Sequence, residues 1–294
     1  MRFYDYEKNF LGITEPDLYK YDKAKFVIQS APYEYTSSYK LGSSQGPEAI
    51  LKASHFVEFY DEMLGIETYK KVGIATMEPM NFHHKVDADA IDYIEAETEK
   101  HIKAGKFVVS LGAEHTVTLG FVKAHNKHYK NLCVVQIDAH ADLRFSYHDN
   151  LFSHASVMAR IHEQDVPLTQ IGIRALSAPE AELSASTNKI HTFYAHNIRN
   201  NPHWMDDAIN TLSENVYLTI DADGFDPAIM PAVGTAEPGG LFWDETMEFL
   251  RKLTERKNVV GFDIVECAPI EGSVLSEYSL AKLAYRLIGF VTKK

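Results

Sequence analysis

VVQIDAHADLR, residues 134–144, decides how this chain is read. Val134, Val135, Gln136 and Ile137 read as the inside of a strand covered on both faces. Asp138, His140 and Asp142 follow without a break. A buried strand tolerates a knot of carboxylates at its end only where something compensates their charge. In extended backbone alternate side chains share one side, so Asp-x-His-x-Asp aims three ligand-type groups at one place.

Three other apolar runs end the same way. FVVSLG leads into Ala113-Glu114-His115-Thr116. VYLTI leads into Asp221-Ala-Asp223-Gly-Phe-Asp226-Pro227, and VVGFDIV leads into Glu266. Each has an ordinary explanation by itself. His115 reads as a hydrogen-bonded loop residue, Thr116 as a helix N-cap, Asp226-Pro227 as turn chemistry, and Glu266 as one half of an ion pair. Four such coincidences at one edge of a sheet are jointly improbable, whereas one metal site accounts for them together.

That shared edge follows from the rhythm of the chain. Short β-branched and apolar runs at 26–30, 71–75, 107–111, 132–137, 169–174, 191–195, 216–220 and 259–265 alternate with helical patterns. The helical patterns cover 46–59, 87–104, 116–128, 154–162, 202–212, 244–255 and 275–291. Continuous apolar strands imply a sheet buried on both faces. Their alternation with helices implies parallel pairing through right-handed crossovers. The expected fold is α/β: a single domain over residues 1–294, a three-layer α/β/α sandwich around a mainly parallel sheet of about eight strands. In such sheets the ligand lies beyond the carboxyl ends of the strands.

Composition narrows the partners. Of 294 residues 45% are apolar, and Lys plus Arg against Asp plus Glu is 29 − 41 = −12. That balance argues against a nucleic-acid partner, which needs a basic surface. No apolar run reaches the ~18–20 residues that span a bilayer, and no basic stretch with an apolar segment opens the chain. The expected location is the cytoplasm, with no membrane partner. Cys133 and Cys267 lie in apolar segments and read as small hydrophobes rather than a disulfide or a nucleophile.

The donor set constrains the metal. His115, His140, Asp138, Asp142, Asp221 and Asp223 are too many for one zinc, which takes about four ligands. They are too rich in nitrogen for a calcium loop. A mixed imidazole and carboxylate set without thiolate suits Mn²⁺, with Fe, Co, Ni or Zn as substitutes. Six such residues with bridging carboxylates can hold two ions about 3.5–4 Å apart, close enough to share and acidify a water. Four carboxylates balance two divalent cations, and an added hydroxide leaves the site negative, which suits a cationic substrate. His154, opening a helix after a polar loop, reads as a surface histidine or as a proton shuttle at the rim. Glu266 is placed to face a positive substrate group.

SLGAEHT, QIDAHADLR, SHAS, TIDADGFDP with GTAEPGG, and DIVECAP stand in the order and spacing of the ureohydrolases, the arginase and agmatinase family. YTSSYKLGSSQGPEAI resembles that family's loop at the mouth of the site, and the resemblance runs over residues 30–269. It implies an arginase-like sheet, two Mn²⁺ ions per chain, homotrimers or homohexamers, and hydrolysis of a guanidinium to urea and an amine by a hydroxide bridging the ions. Carried over by position, His115, Asp138, His140, Asp142, Asp221 and Asp223 are the metal ligands. Asp142, His154 and Glu266 are the catalytic residues, with Glu266, Thr235 and His154 touching substrate. Ala113, Thr116 and Ala155 depart from the usual Gly, Ser and Gly or Ser of the family, with activity expected to survive. Arg144 stands where arginases have an asparagine that holds the amino-acid end of arginine. Its presence favours a substrate without that carboxylate, so agmatine, giving putrescine and urea, is the expected substrate of this small cationic class. The alternatives are a guanidinobutyrase-like or other guanidino-acid hydrolase, an arginase, a formimidoylglutamase, a mononuclear zinc deacetylase, and a catalytically silent subunit that keeps the fold.

Overall fold

In the computed structural model, which describes residues 2–293, eight strands form one sheet in which every neighbouring pair is parallel. The strands are β1 (Phe26–Ala31), β2 (Ile74–Thr76), β3 (Phe107–Gly112), β4 (Leu132–Ile137), β5 (Leu168–Ile173), β6 (Ile190–Tyr194), β7 (Asn215–Asp221) and β8 (Asn258–Val265). Their spatial order is β2-β1-β3-β8-β7-β4-β5-β6. The four strands whose ends carry the acids and imidazoles are therefore neighbours in the middle of the sheet. Their register aligns Leu111, Ile264, Ile220 and Ile137 in one row. Asp221 and Asp138 are each the next residue along, so they emerge side by side.

Helices cover both faces, as continuous apolar strands require. On one face α1 (Gly46–Ser54), α6 (Trp204–Asn210), α7 (Trp243–Arg256) and α8 (Leu275–Thr292) pack against Ile28, Val109, Val135, Leu218 and Phe262. On the other, α2 (Asp87–Lys103), α3 (Thr118–Asn126) and α4 (Val157–His162) pack against Val134, Tyr217, Val260 and Val265, with α5 (Ala178–Ser186) at the edge. The fold is the three-layer α/β/α sandwich expected.

Several element boundaries differ from expectation for identifiable reasons. The strand expected at 71–75 begins inside a short helix, Thr68–Val72. Gly73, at φ 62, stops that helix and leaves only Ile74–Thr76 extended. The helix expected at 46–59 ends at Ser54, whose hydroxyl turns back to the Leu51 carbonyl while accepting from the Leu11 amide. The region 154–162 opens as a 3-10 turn, His154–Ser156, before α4. Helix α5 is an addition. Ser177 and Glu180 form a capping box around its start, with Pro179 in the first turn.

Candidate metal centre

β4 delivers Asp138, His140 and Asp142 to the carboxyl edge, β7 delivers Asp221 and Asp223, and β3 delivers His115. Close backbone approach makes this possible. A Cβ on Gly224, just after Asp223, would stand 2.8 Å from the Asp138 amide, so the β7 turn can lie against the end of β4 only as glycine.

The six residues converge in two groups. His115 Nδ1 lies 3.0 Å from Asp138 Oδ2, 3.0 Å from Asp142 Oδ2 and 3.3 Å from Asp221 Oδ2. His140 Nδ1 lies 3.1 Å from Asp223 Oδ2 and 3.6 Å from Asp138 Oδ1. Asp138 belongs to both groups and presents a different oxygen to each, which is the disposition of a bridging carboxylate. His115 and Asp138 are fully buried; the His140 side chain is 28% exposed.

Around His115 the hydrogen bonds assign the ring. Its Nε2 stands 2.9 Å from Thr219 Oγ1, and that hydroxyl donates its proton to Asp263 Oδ1 at 2.6 Å. Thr219 can then only accept from His115 Nε2–H. Nδ1 is left facing three carboxylate oxygens without hydrogen-bond geometry to any of them. A lone pair turned toward acceptors at 3.0 Å is the arrangement that a cation resolves, so the donor set fits a divalent transition metal in each group.

Burial and crowding of like charges shift the titratable groups of this cluster in opposite directions. Burial together with the Asp138 charge pushes Asp142 up to about 7. Burial, Asp223 and Asp138 hold Asp221 well above the usual carboxylate range. Burial penalises both imidazolium forms. Asp138, Asp142 and Asp221 outweigh it at His115, and Asp223 with Asp138 hold His140 at about 12. Asp138 is held below its ordinary range because its contacts with the two imidazoles outweigh its burial. These shifts share one cause, four carboxylates crowded at one buried edge.

The surrounding residues fix the geometry. Gln136 Nε2 donates to Asp138 Oδ2 at 2.7 Å, and the His140 amide donates to Asp138 Oδ1 at 2.6 Å. Arg174 donates to the carbonyls of Asp223, Phe225 and Glu237, binding the β7 turn to the loop that carries Thr235. Thr235 Oγ1 lies 3.4 Å from Asp223 Oδ2. Glu180 ties α5 to the segment after Asp142 by accepting from the Leu143 amide at 3.0 Å. Asp142 and Glu266 have φ of 52 and 62. The left-handed region costs a non-glycine residue about 1–3 kcal/mol and persists where the surroundings impose it.

A pocket opens above the cluster, lined among others by Tyr39, Lys40, His154, Gly234, Thr235 and Glu266. Glu266 Oε1 accepts from the His115 amide at 2.7 Å, while its Oε2 lies on the Gly234 side. Burial and the nearby Glu114 charge raise Glu266 well above the carboxylate range, a second place short of positive charge. Burial, aided by the charges of His140 and His115, lowers His154 to about 4. Arg144 does not line the pocket; it packs over Tyr147, with its Nε 3.7 Å from Glu180. Ala113 keeps its backbone bonds: its amide donates to the Ala31 carbonyl and its carbonyl accepts from the Glu266 amide at 2.7 Å.

All nine expected site residues therefore border one pocket or its floor. Sequence reading missed the supports Gln136, Thr219 and Asp263, whose signal was a polar residue inside an otherwise apolar strand. It also missed Thr36 and the partners of Glu114. Cys133 and Cys267 are buried, and burial raises both thiols. Among the described residues no helix is long and apolar enough to cross a membrane.

The profile of the Arginase family matches residues 24–289. The chain is 44% identical to a protein named N(1)-aminopropylagmatine ureohydrolase from a Synechocystis species, over 92% of this chain and 90% of that one. A protein of the same name from Thermus thermophilus is 36% identical over 92% and 91%. The crystal structure of the agmatine ureohydrolase of Thermoplasma volcanium superposes with a TM-score of 0.83 at 31% identity, covering 97% of this chain and 94% of that one.

Proposed function

The chain belongs to the arginase family, and from that premise we propose that it hydrolyses the guanidinium of an agmatine-type chain to urea and an amine, using two divalent ions held by His115, Asp138, His140, Asp142, Asp221 and Asp223. The observation that carries this reading is Asp138, shared between two imidazole–carboxylate groups that are both short of positive charge.

Agmatine alone is too narrow an expectation. Relatives that match over nine-tenths of the chain are named for N(1)-aminopropylagmatine, so that extended polycation is the first substrate to test and agmatine the second. Manganese is the metal proposed. Two bound ions would acidify a shared water and supply the nucleophile. The protein's own groups then have distinct tasks. The Glu266 carboxylate accepts hydrogen bonds from the guanidinium and meets its charge. Asp142 accepts the proton of the attacking water and delivers it to the departing amine. His154 exchanges protons with solvent at the rim, and Thr235 lines the substrate's path.

Urea release measured across N(1)-aminopropylagmatine, agmatine, 4-guanidinobutyrate and arginine tests the substrate class. One of the first two should be preferred. Arginine preferred over both would overturn the specificity and leave the metal chemistry standing. A homotrimer or homohexamer is proposed with it, supported by exposed Phe56 and Val274 and by Tyr278, whose hydroxyl donates to the Phe56 carbonyl. Light scattering that gives a monomer would remove that part.

A further inference from the structure

The loop at the pocket mouth is pinned by two carboxylates. Glu34 accepts from the amides of Gly42 and Ser44 and from the Ser44 hydroxyl. Glu114, fully buried, accepts from the amides of Tyr35 at 2.9 Å and Thr36 at 2.7 Å through Oε2. Between them Lys40 Nζ reaches the Ala268 carbonyl at 2.9 Å, so the segment lining the pocket is held in place before any ligand arrives.

Thr36 does more than close this loop. Its Oγ1 lies 3.0 Å from Glu114 Oε1, 3.0 Å from the His154 amide and 3.0 Å from His154 Nδ1. A hydroxyl has one proton and two lone pairs. The His154 amide takes one lone pair. With the proton given to the Glu114 carboxylate, the second lone pair accepts from Nδ1–H. That fixes both the plane of the His154 ring and its tautomer, leaving Nε2 as the ring's proton acceptor. The contacts join residues 78 and 118 positions apart, so three separate loops meet on one hydroxyl.

We propose that Thr36 and Glu114 are positioning residues for His154, setting its orientation and tautomer at the rim of the pocket. The inference rests on the proposed function where it concerns turnover, because it takes His154 to be the proton carrier. A purely structural role, capping the amides of the mouth loop, belongs to the Glu114 Oε2 contacts and does not need the Thr36 hydroxyl.

That separation defines the test. Thr36→Val removes the hydroxyl and keeps the backbone bond to Glu114. It should lower kcat by about tenfold to hundredfold, with KM moving less than about threefold. Metal content should match the wild type, and Thr36→Ser should recover most of the loss. Independently of turnover, ¹⁵N-imidazole NMR of the metal-free protein should show His154, assigned by its loss in His154→Asn, as the Nδ1–H tautomer. In Thr36→Val that resonance should move toward a mixture. An unchanged tautomer, an unchanged kcat, or a serine variant as impaired as the valine one overturns the proposal. If the wild type releases no urea from any guanidino compound, the functional reading fails while the NMR comparison still decides the positioning role.

Discussion

His115 and His125 are both fully buried, ten positions apart on either side of the start of α3, yet they sit in opposite electrostatic worlds. His125 donates Nδ1–H to the Phe121 carbonyl at 2.8 Å, packs on the Tyr217 ring, and leaves Nε2 without a polar partner. Burial lowers it to about 4, so it is a neutral core side chain. His115 is surrounded by Asp138, Asp142 and Asp221, which raise it against the same burial penalty. Burial alone therefore says nothing about function. What separates the two is the concentration of carboxylates at the carboxyl edge of four neighbouring strands, which the remainder of the sheet interior does not carry.

The largest effect should come from removing the carboxylate that serves both groups. Asp138→Asn should lower urea release by about a thousandfold or more, with measured metal falling well below the wild-type content, because both imidazole–carboxylate groups lose the negative charge that Asp138 offers to each. A variant that retains both would dissolve the distinction drawn between the two histidines. A smaller effect is expected from the support behind His115. Thr219→Val should weaken metal binding by about 10–100-fold, as losing the partner that fixes a ligating imidazole typically does. Unchanged metal affinity in a chelator competition would mean the Thr219–Asp263 pair is only structural.

A Cβ on Gly261 would stand 2.4 Å from His125 Nε2. Gly261→Ala should cost about 1–3 kcal/mol of stability by overpacking, read by denaturant unfolding, with metal affinity per folded molecule unchanged. The smallest effect concerns pH. His125 and His101 are both lowered to about 4, chiefly by burial. The unfolded chain protonates them near 6.5 and the folded one does not. Their stabilisation is full above that pH and is lost as pH falls toward about 4, at about 1.4 kcal/mol per pH unit for each. In His125→Leu the acid limb of metal-free unfolding should be shallower by that amount; an unchanged slope would mean His125 is charged in the folded state.

Much of this was legible in the linear sequence, for a physical reason. Asp138, Asp221 and Glu266 stand directly after apolar runs, so each reads as charge delivered by a buried strand, and parallel pairing brings such ends to one edge. The supports were harder to see. Gln136, Thr219 and Asp263 are single polar residues within apolar strands, and only their geometry distinguishes support from accident. Thr36 left no local signal, and Glu114, which follows an apolar run, showed its charge but not its partners, because the bonds from Thr36 to Glu114 and to His154 span 78 and 118 residues of chain. Helix α5 is short and weakly patterned, and its Ser177–Glu180 capping box was its one readable mark. The strand at 74–76 was misplaced because Lys71 and Val72 suit either state, and the decision fell to Gly73, whose positive φ ends the helix.

Whether two cations compensate the shared carboxylate cluster is decided by titrating chelator-stripped protein with Mn²⁺. Ions bound per chain and urea released from N(1)-aminopropylagmatine and agmatine would be followed together. No urea should form before metal is added, and full activity should return only as binding approaches two ions per chain. Urea release that persists in metal-free protein, or a single binding event that restores full activity, would contradict it.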